Sequence, residues 1–346
     1  MNKEQTTPTV KRETKNTIKV DFERTPLKER LKAKFGTFFF LQKVVWYIFR
    51  LVLLTGISFV IIYPFIAKIA GSFMGMDDFI DVTVFLIPKH WTLDTYIAIF
   101  VENQYLKAFA NTFLLSFSTA IAQTLVCCLV GYGLAKFKFK GNAALMFAVI
   151  ISMIVPHGTV QLSMYMEFRY FDIFEIFNLL NKAGVVDKSY MANLTNSYWP
   201  LIILSVTGFA FKNGLYIFMM RQFFRGVPDE LEESAYVDGS GVYRTFVSII
   251  LPLSIPMMVT IFLFAFCWQW TDNFYTEVFF TNNKTILMPD IVEIPDSLVT
   301  TYQGQNLFYS AIYNTCGLMI IAPLVILYLF CQKFLVQGIE RSGLVG

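Results

Sequence analysis

Six apolar runs dominate the chain, at about residues 44–70, 109–135, 143–166, 199–220, 253–275 and 312–333. Each has roughly the 20 residues a helix needs to cross about 30 Å of hydrocarbon. Inside lipid every backbone N–H and C=O must be satisfied within the protein, so such runs are expected to form helices. The sequence therefore predicts an all-α integral membrane protein with six transmembrane helices. A hydrophobic content of 55% and a mean hydropathy of +0.54 exclude an ordinary soluble domain of this length.

Six spans place both termini on one side, and the Lys and Arg distribution says which. Nineteen of them fall in residues 1–43, in the turn holding Lys136, Lys138 and Lys140, around the 228–252 segment, and in the C-terminal tail. Seven fall in the opposite loops, where Asp77, Asp78, Asp81, Asp290, Glu293 and Asp296 predominate. The positive-inside rule then puts both termini in the cytoplasm. Residues 1–25 lack the apolar centre of a signal peptide and read as a disordered cytoplasmic tail. Residues 26–43 read as a basic interfacial helix or a plain positive anchor for the first span. Residues 44–335 read as the six-span membrane domain, and 336–346 as a cytoplasmic tail. Residues 167–198 are too charged to span and suggest a short outer interfacial helix.

Five cysteines inside or at the ends of apolar runs, without C-x-x-C spacing, read as small core residues. His90 and His157 lie far apart, which argues against a metal centre or histidine-based catalysis.

The longest polar interruption of the C-terminal half runs from Pro228 to Pro252, P-D-E-L-E-E-S-A-Y-V-D-G-S-G-V-Y-R-T-F-V-S-I-I-L-P. Pro228 suits the start of a helix, and Asp229, Glu230, Glu232 and Glu233 crowd its first turns, where the helix dipole favours negative charge. Gly239 and Gly241 stop that helix, and Pro252 marks where a second short helix meets the membrane. Charge alone leaves two readings open, a solvated loop helix or a docking element for a soluble partner.

The sequence E-S-A-Y-V-D-G from Glu233, followed by I-I-L-P ending at Pro252, resembles the signature cytoplasmic EAA loop of the membrane subunits of bacterial ATP-binding-cassette importers. Ser234 stands where alanine is usual. The flanking N-G-L-Y-I-F-M-M-R-Q-F-F-R-G-V-P-D-E-L, N-T-F-L-L at Asn111, G-Y-G-L-A-K-F-K-F-K-G at Gly131 and the ending Q-K-F-L-V-Q-G-I-E-R-S-G-L-V-G are similar to carbohydrate permeases, specifically the smaller, six-span partner of the maltose type. The likeness extends from about residue 44 to the C-terminus.

That resemblance implies the transmembrane domain of a type I importer in the bacterial cell membrane. It implies a second homologous permease subunit, a cytoplasmic ATPase dimer and an extracytoplasmic sugar-binding protein as partners. ATP and magnesium would be held by the ATPase, since this sequence has no G-x-x-x-x-G-K-[ST] phosphate loop and so no catalytic residues or cofactor of its own. The coupling residues carried over are Leu231, Glu232, Glu233, Ser234, Ala235, Asp238, Gly239 and Pro252. Glu232 and Glu233 are expected to meet basic groups of the ATPase, while Leu231 and Ala235, four apart, supply one apolar face. Tyr165, Trp268, Trp270 and Tyr275 are candidates for stacking on sugar along a pathway, with the family's tryptophan matched ambiguously by Trp268 or Trp270. Two other classes stay in view. An ion-driven secondary transporter would carry ionisable groups within its spans, for which Lys212 is the strong candidate. A non-transporting sensor or assembly protein would use the acidic helices for binding alone.

Overall fold

A computed structural model describes residues 38–172, 176–184, 191–210, 212–282, 285–301 and 305–343. The expected N-terminal tail, most of the basic interfacial helix and parts of the outer segment lie outside them. The chain divides into two units, residues 1–65 and 66–346. The described part of the first is most of α1 (Phe38–Gly71), most of whose described side chains are exposed and none of which is buried along its apolar span.

In the second unit the order is α2 (Asp94–Glu102), α3 (Tyr105–Lys136), α4 (Asn142–Ile154), α5 (His157–Arg169), α6 (Ile176–Lys182), α7 (Trp199–Thr207), α8 (Asn213–Arg225), α9 (Glu230–Val237), α10 (Val242–Trp270), α11 (Phe274–Phe279) and α12 (Gln305–Gly343). No strand occurs among the described residues, only two isolated bridges. Four helices, α1, α3, α10 and α12, are long and apolar enough to cross a membrane alone, and the α4–α5 pair makes a fifth if counted as one bent span.

Two expected single spans are broken. The run at 143–166 bends by 101° between α4 and α5. Pro156 has no N–H and drives Val155 out of the helical region, to φ −63°, ψ 120°. The run at 199–220 divides into α7 and α8. Gly208, at φ +82°, ends α7, and the N–H groups of Phe209 and Ala210 both donate to the Leu204 carbonyl, at 2.9 Å. Lys212 then enters α8 from a left-handed φ of 71°.

The core is α3 against α8 and α10. Lipid supplies no hydrophobic drive between helices, so close fit carries the association. Phe109, Phe113 and Phe117 of α3, spaced by four, meet Trp270, Phe266 and Phe262 of α10 in edge-on pairs with centroids 5.3, 6.0 and 5.8 Å apart. Each such pair adds roughly 0.5–1.5 kcal/mol beyond contact area. Gly131 of α3 admits α8 so closely that a Cβ there would lie 2.5 Å from Met220 Cβ. A second cluster around Leu115, Phe168, Leu201, Tyr275, Phe279 and Leu287 joins α3, α5, α7 and α11, and a third joins Ile99 of α2 to Phe308, Ile312 and Cys316 of α12.

Outside the helices, the buried Asp78 accepts hydrogen bonds from the backbone N–H groups of Lys89 and His90, 3.1 and 3.0 Å, and its Oδ1 lies 2.7 Å from His90 Nδ1. This fastens the segment after α1 to the approach to α2.

Candidate coupling loop and polar pathway face

The acidic segment folds as a helix, a glycine turn and the start of a long helix. α9 carries Glu230, Glu232 and Glu233 in its first turn, and Leu231, Glu232 and Glu233 donate their N–H groups to Pro228 and Asp229 carbonyls. Its C-terminus is a complete Schellman motif. Gly239 sits at φ +82°, its N–H bonds the Tyr236 carbonyl at 3.0 Å, and the Ser240 N–H bonds the Ala235 carbonyl at 2.9 Å.

The second element differs from the expected short helix. α10 runs unbroken from Val242 through Pro252 to Trp270, so Pro252 lies inside a helix and ends nothing. The missing N–H of Pro252 is accommodated by a π-helical turn over Phe246–Ile250, in which the Leu251 N–H reaches back to the Phe246 carbonyl. α10 thereby runs as one continuous helix from the turn after Gly239 to the aromatic pairs at its far end.

Burial sorts the predicted coupling residues. Glu233, Ser234, Asp238, Gly239 and Leu231 are exposed, whereas Glu232 and Ala235 face the protein and are buried. The expected apolar face shared by Leu231 and Ala235 is therefore absent, and Glu232 does not present its carboxylate to solvent. Packing decides this: α9 turns the side carrying Glu232 and Ala235 inward and leaves Leu231 at its edge, 39% exposed. The most exposed apolar groups of the segment are Val237 and Tyr243, 88% and 81% exposed, on either side of the glycine turn.

Two residues outside the segment hold it. Lys136, at the end of α3, has a side chain only 7% exposed; its Nζ donates to the Val227 carbonyl at 2.7 Å and pairs with Asp229 Oδ1 at 2.5 Å. That hydrogen bond and its charge hold the Asp229 carboxyl below the ordinary carboxylate range. Tyr132, one turn earlier, packs on Phe246 at 4.6 Å and Phe224 at 5.4 Å, with Glu232 nearby. The signal for both lay in G-Y-G-L-A-K, where Lys136 reads from sequence only as a positive-inside charge.

The four pathway candidates fall into different environments. Trp270 is fully buried, its Nε1–H donating to the Ile320 carbonyl at 3.0 Å and its ring stacked on Phe266. Tyr275 is also buried, with its hydroxyl 2.5 Å from His157 Nδ1. Neither ring offers a free face, so the expectation that they stack on sugar fails in this conformation. Tyr165 is partly buried against the second cluster. Trp268 is 51% exposed and carries the Lys212 ammonium 4.8 Å from its ring centroid.

Trp268 also lines a small cavity of about 20 Å³ with Gln123, Ser205, Tyr216, Gln269 and Asp272. Gln123 Oε1, Tyr216 OH and Gln269 Nε2 are buried there without a hydrogen-bond partner. The cavity has room for one water-sized polar group and several partners for it. It adjoins the α7–α8 break, which fits the rule that irregular backbone at membrane depth lies against a polar cavity.

The chain is 27% identical over 308 residues to the maltodextrin transport system permease protein MdxG of Bacillus subtilis (strain 168), covering 88% of this chain and 97% of that one. It is 25% identical over 312 residues to the galactooligosaccharides transport system permease protein GanQ of the same organism, covering 88% and 98%. Its fold matches a chain in the crystal structure of a bacterial ABC transporter involved in the import of the acidic polysaccharide alginate, with a TM-score of 0.63 and 19% identity over 84% of this chain and 97% of that one. The family model for the binding-protein-dependent transport system inner membrane component matches residues 127–341, a stretch that contains the whole acidic segment and all four pathway candidates. The chain belongs to that family of membrane transport subunits.

Proposed function

We propose that this chain is the permease subunit of an ATP-driven importer, forming half of the pathway for an oligosaccharide and coupling it to a separate ATPase through residues 228–252. The observation that carries the reading is the exposed pair Val237 and Tyr243 beside exposed Glu233 and Asp238, on a turn locked by Gly239. An apolar tip rimmed by acids on a polar loop is the composition of a protein-docking surface. The relatives named for maltodextrin and galactooligosaccharides support the cargo class.

In this reading six spans cross the membrane: α1, α3, the α4–α5 pair, the α7–α8 pair, α10 and α12. Both termini and the acidic segment are cytoplasmic. The acidic segment seats in a groove of one ATPase subunit, and ATP with magnesium is held by the ATPase dimer. A second homologous permease completes the pathway, and an extracytoplasmic sugar-binding protein delivers cargo. Closure of the ATPases pushes α9, and α10 carries the displacement to the aromatic zipper with α3.

The test is oligosaccharide uptake by the complete complex in proteoliposomes with ATP inside and the binding protein outside. Uptake is expected to persist after proton and sodium gradients are collapsed. Loss of uptake under those conditions supports an ion-driven transporter instead, and ATPase activity indifferent to loaded binding protein supports a non-transporting role.

A further inference from the structure

The turn between α3 and α4 joins two membrane helices, so it lies at the boundary between hydrocarbon and water. Its sequence alternates Phe137, Lys138, Phe139 and Lys140, all exposed. The turn is fixed in place. The Asn142 side-chain amide donates to the Leu134 and Phe137 carbonyls, at 3.2 and 3.1 Å, and Gly141 takes φ +101°. From the other side of the groove, Arg221 and Arg225, four apart on one face of α8, approach the same place, and Arg221 Nε lies 3.4 Å from the Leu134 carbonyl.

The result is an open groove lined by four cations, Lys138, Lys140, Arg221 and Arg225, with two phenyl rings and no carboxylate. The adjacent Asp229 is engaged by Lys136. General positive-inside charge needs no convergence, whereas here two segments some eighty residues apart bring cations to a single pinned turn. Convergent cations at headgroup depth suit a phosphodiester, guanidinium groups for its oxygens and ammonium groups for its charge, while exposed phenyl rings suit the acyl chains. We propose that this groove binds the phosphate headgroup of an anionic phospholipid. The assignment rests on the membrane placement of α3 and α4 and does not depend on ATPase docking.

The experiment uses the intact complex in detergent, with lipid retention read by native mass spectrometry. Phosphatidylglycerol is the probe, phosphatidylcholine the neutral control and inorganic phosphate the competitor. The variant Lys138→Gln/Lys140→Gln/Arg225→Gln leaves Arg221 and its backbone contact in place. Phosphatidylglycerol retention is expected to fall by about fivefold for each charge removed. Phosphatidylcholine retention should be unchanged, and millimolar phosphate should not displace the lipid. Equal phosphatidylglycerol retention in variant and parent overturns the assignment. So does displacement by inorganic phosphate, or loss of a cytoplasmic subunit with lipid retention intact. If the variant does not assemble, the parent decides: photoactivatable phosphatidylglycerol should label the peptide containing Phe137–Asn142, and labelling confined to other peptides overturns the proposal.

Discussion

The ammonium of Lys136 is sheltered within the protein while its partner Asp229 lies in water, so the pair 2.5 Å apart is anchored from the membrane side only. The asymmetry assigns the roles. Asp229 is 76% exposed, and an ion pair to such a group is heavily screened. Lys136 also satisfies the Val227 carbonyl, which leads into the acidic segment.

Lys136→Met should therefore loosen the 228–241 segment, with faster amide exchange there and a stability loss of about 1–2 kcal/mol from the orphaned carbonyl. Asp229→Asn should change stability little. Because Lys136 lowers the Asp229 pKa, whatever stability the pair adds is present above the ordinary carboxylate pKa of about 4 and fades as pH falls below it. Hydrogen exchange of both variants at pH 7 checks the order.

Gly131 and Gly133 stand two apart in one motif and should respond oppositely to alanine. A Cβ at Gly131 would meet Met220 Cβ at 2.5 Å and the Arg221 backbone nitrogen at 3.0 Å, neither of which can rotate away. Gly131→Ala should cost about 1–3 kcal/mol. Nothing lies within 4 Å of a Cβ at Gly133, so Gly133→Ala should be neutral or stabilise the helix by about 0.5–1 kcal/mol. Thermal unfolding of both variants in detergent gives the comparison.

The turn at Gly239 has open space around it and a left-handed φ, so its requirement is conformational. Gly239→Ala should cost about 1–2 kcal/mol, with Gly239→Asn costing less. Helix-end exchange of the Ser240 amide, which donates to Ala235, reads the loss of the motif directly.

Asp78 carries a pH dependence. Burial alone would raise its pKa, but hydrogen bonds from the His90 backbone and ring, attraction to His90 and the Lys89 N–H more than offset that and lower it. A lowered folded-state pKa contributes stability above the unfolded value of about 4, lost as pH falls through the folded one. The 72–92 segment should open below about pH 4, and Asp78→Asn, which sets an amide donor against backbone N–H groups, should cost about 1–3 kcal/mol at neutral pH. Exchange of the Lys89 and His90 amides between pH 3 and 7 measures both.

What the sequence made legible was local chemistry. The acids before Gly239 and the glycine itself define α9 and its cap, because helix starts and left-handed turns depend on few neighbours. The bend beside His157 was legible from Pro156, whereas the break after Gly208 was not, since apolar composition alone reads a broken and a straight span alike. Glu232 and Glu233 are adjacent and chemically alike, and only tertiary packing turns one inward. Trp268 and Trp270 are likewise separated by the helix face each occupies, a property set by α3 and α12 and not by their own neighbours in sequence.

The central claim, that exposed Glu233 and Val237 hand ATPase closure to α10, is tested most directly by oligosaccharide uptake and ATP hydrolysis in proteoliposomes holding Glu233→Lys or Val237→Asp complexes. Both side chains are exposed, so the account predicts normal insertion and melting temperature, with uptake reduced at least about tenfold, a loss of about 1.4 kcal/mol or more in coupling. Parental rates of uptake in fully assembled complexes of both variants would contradict it.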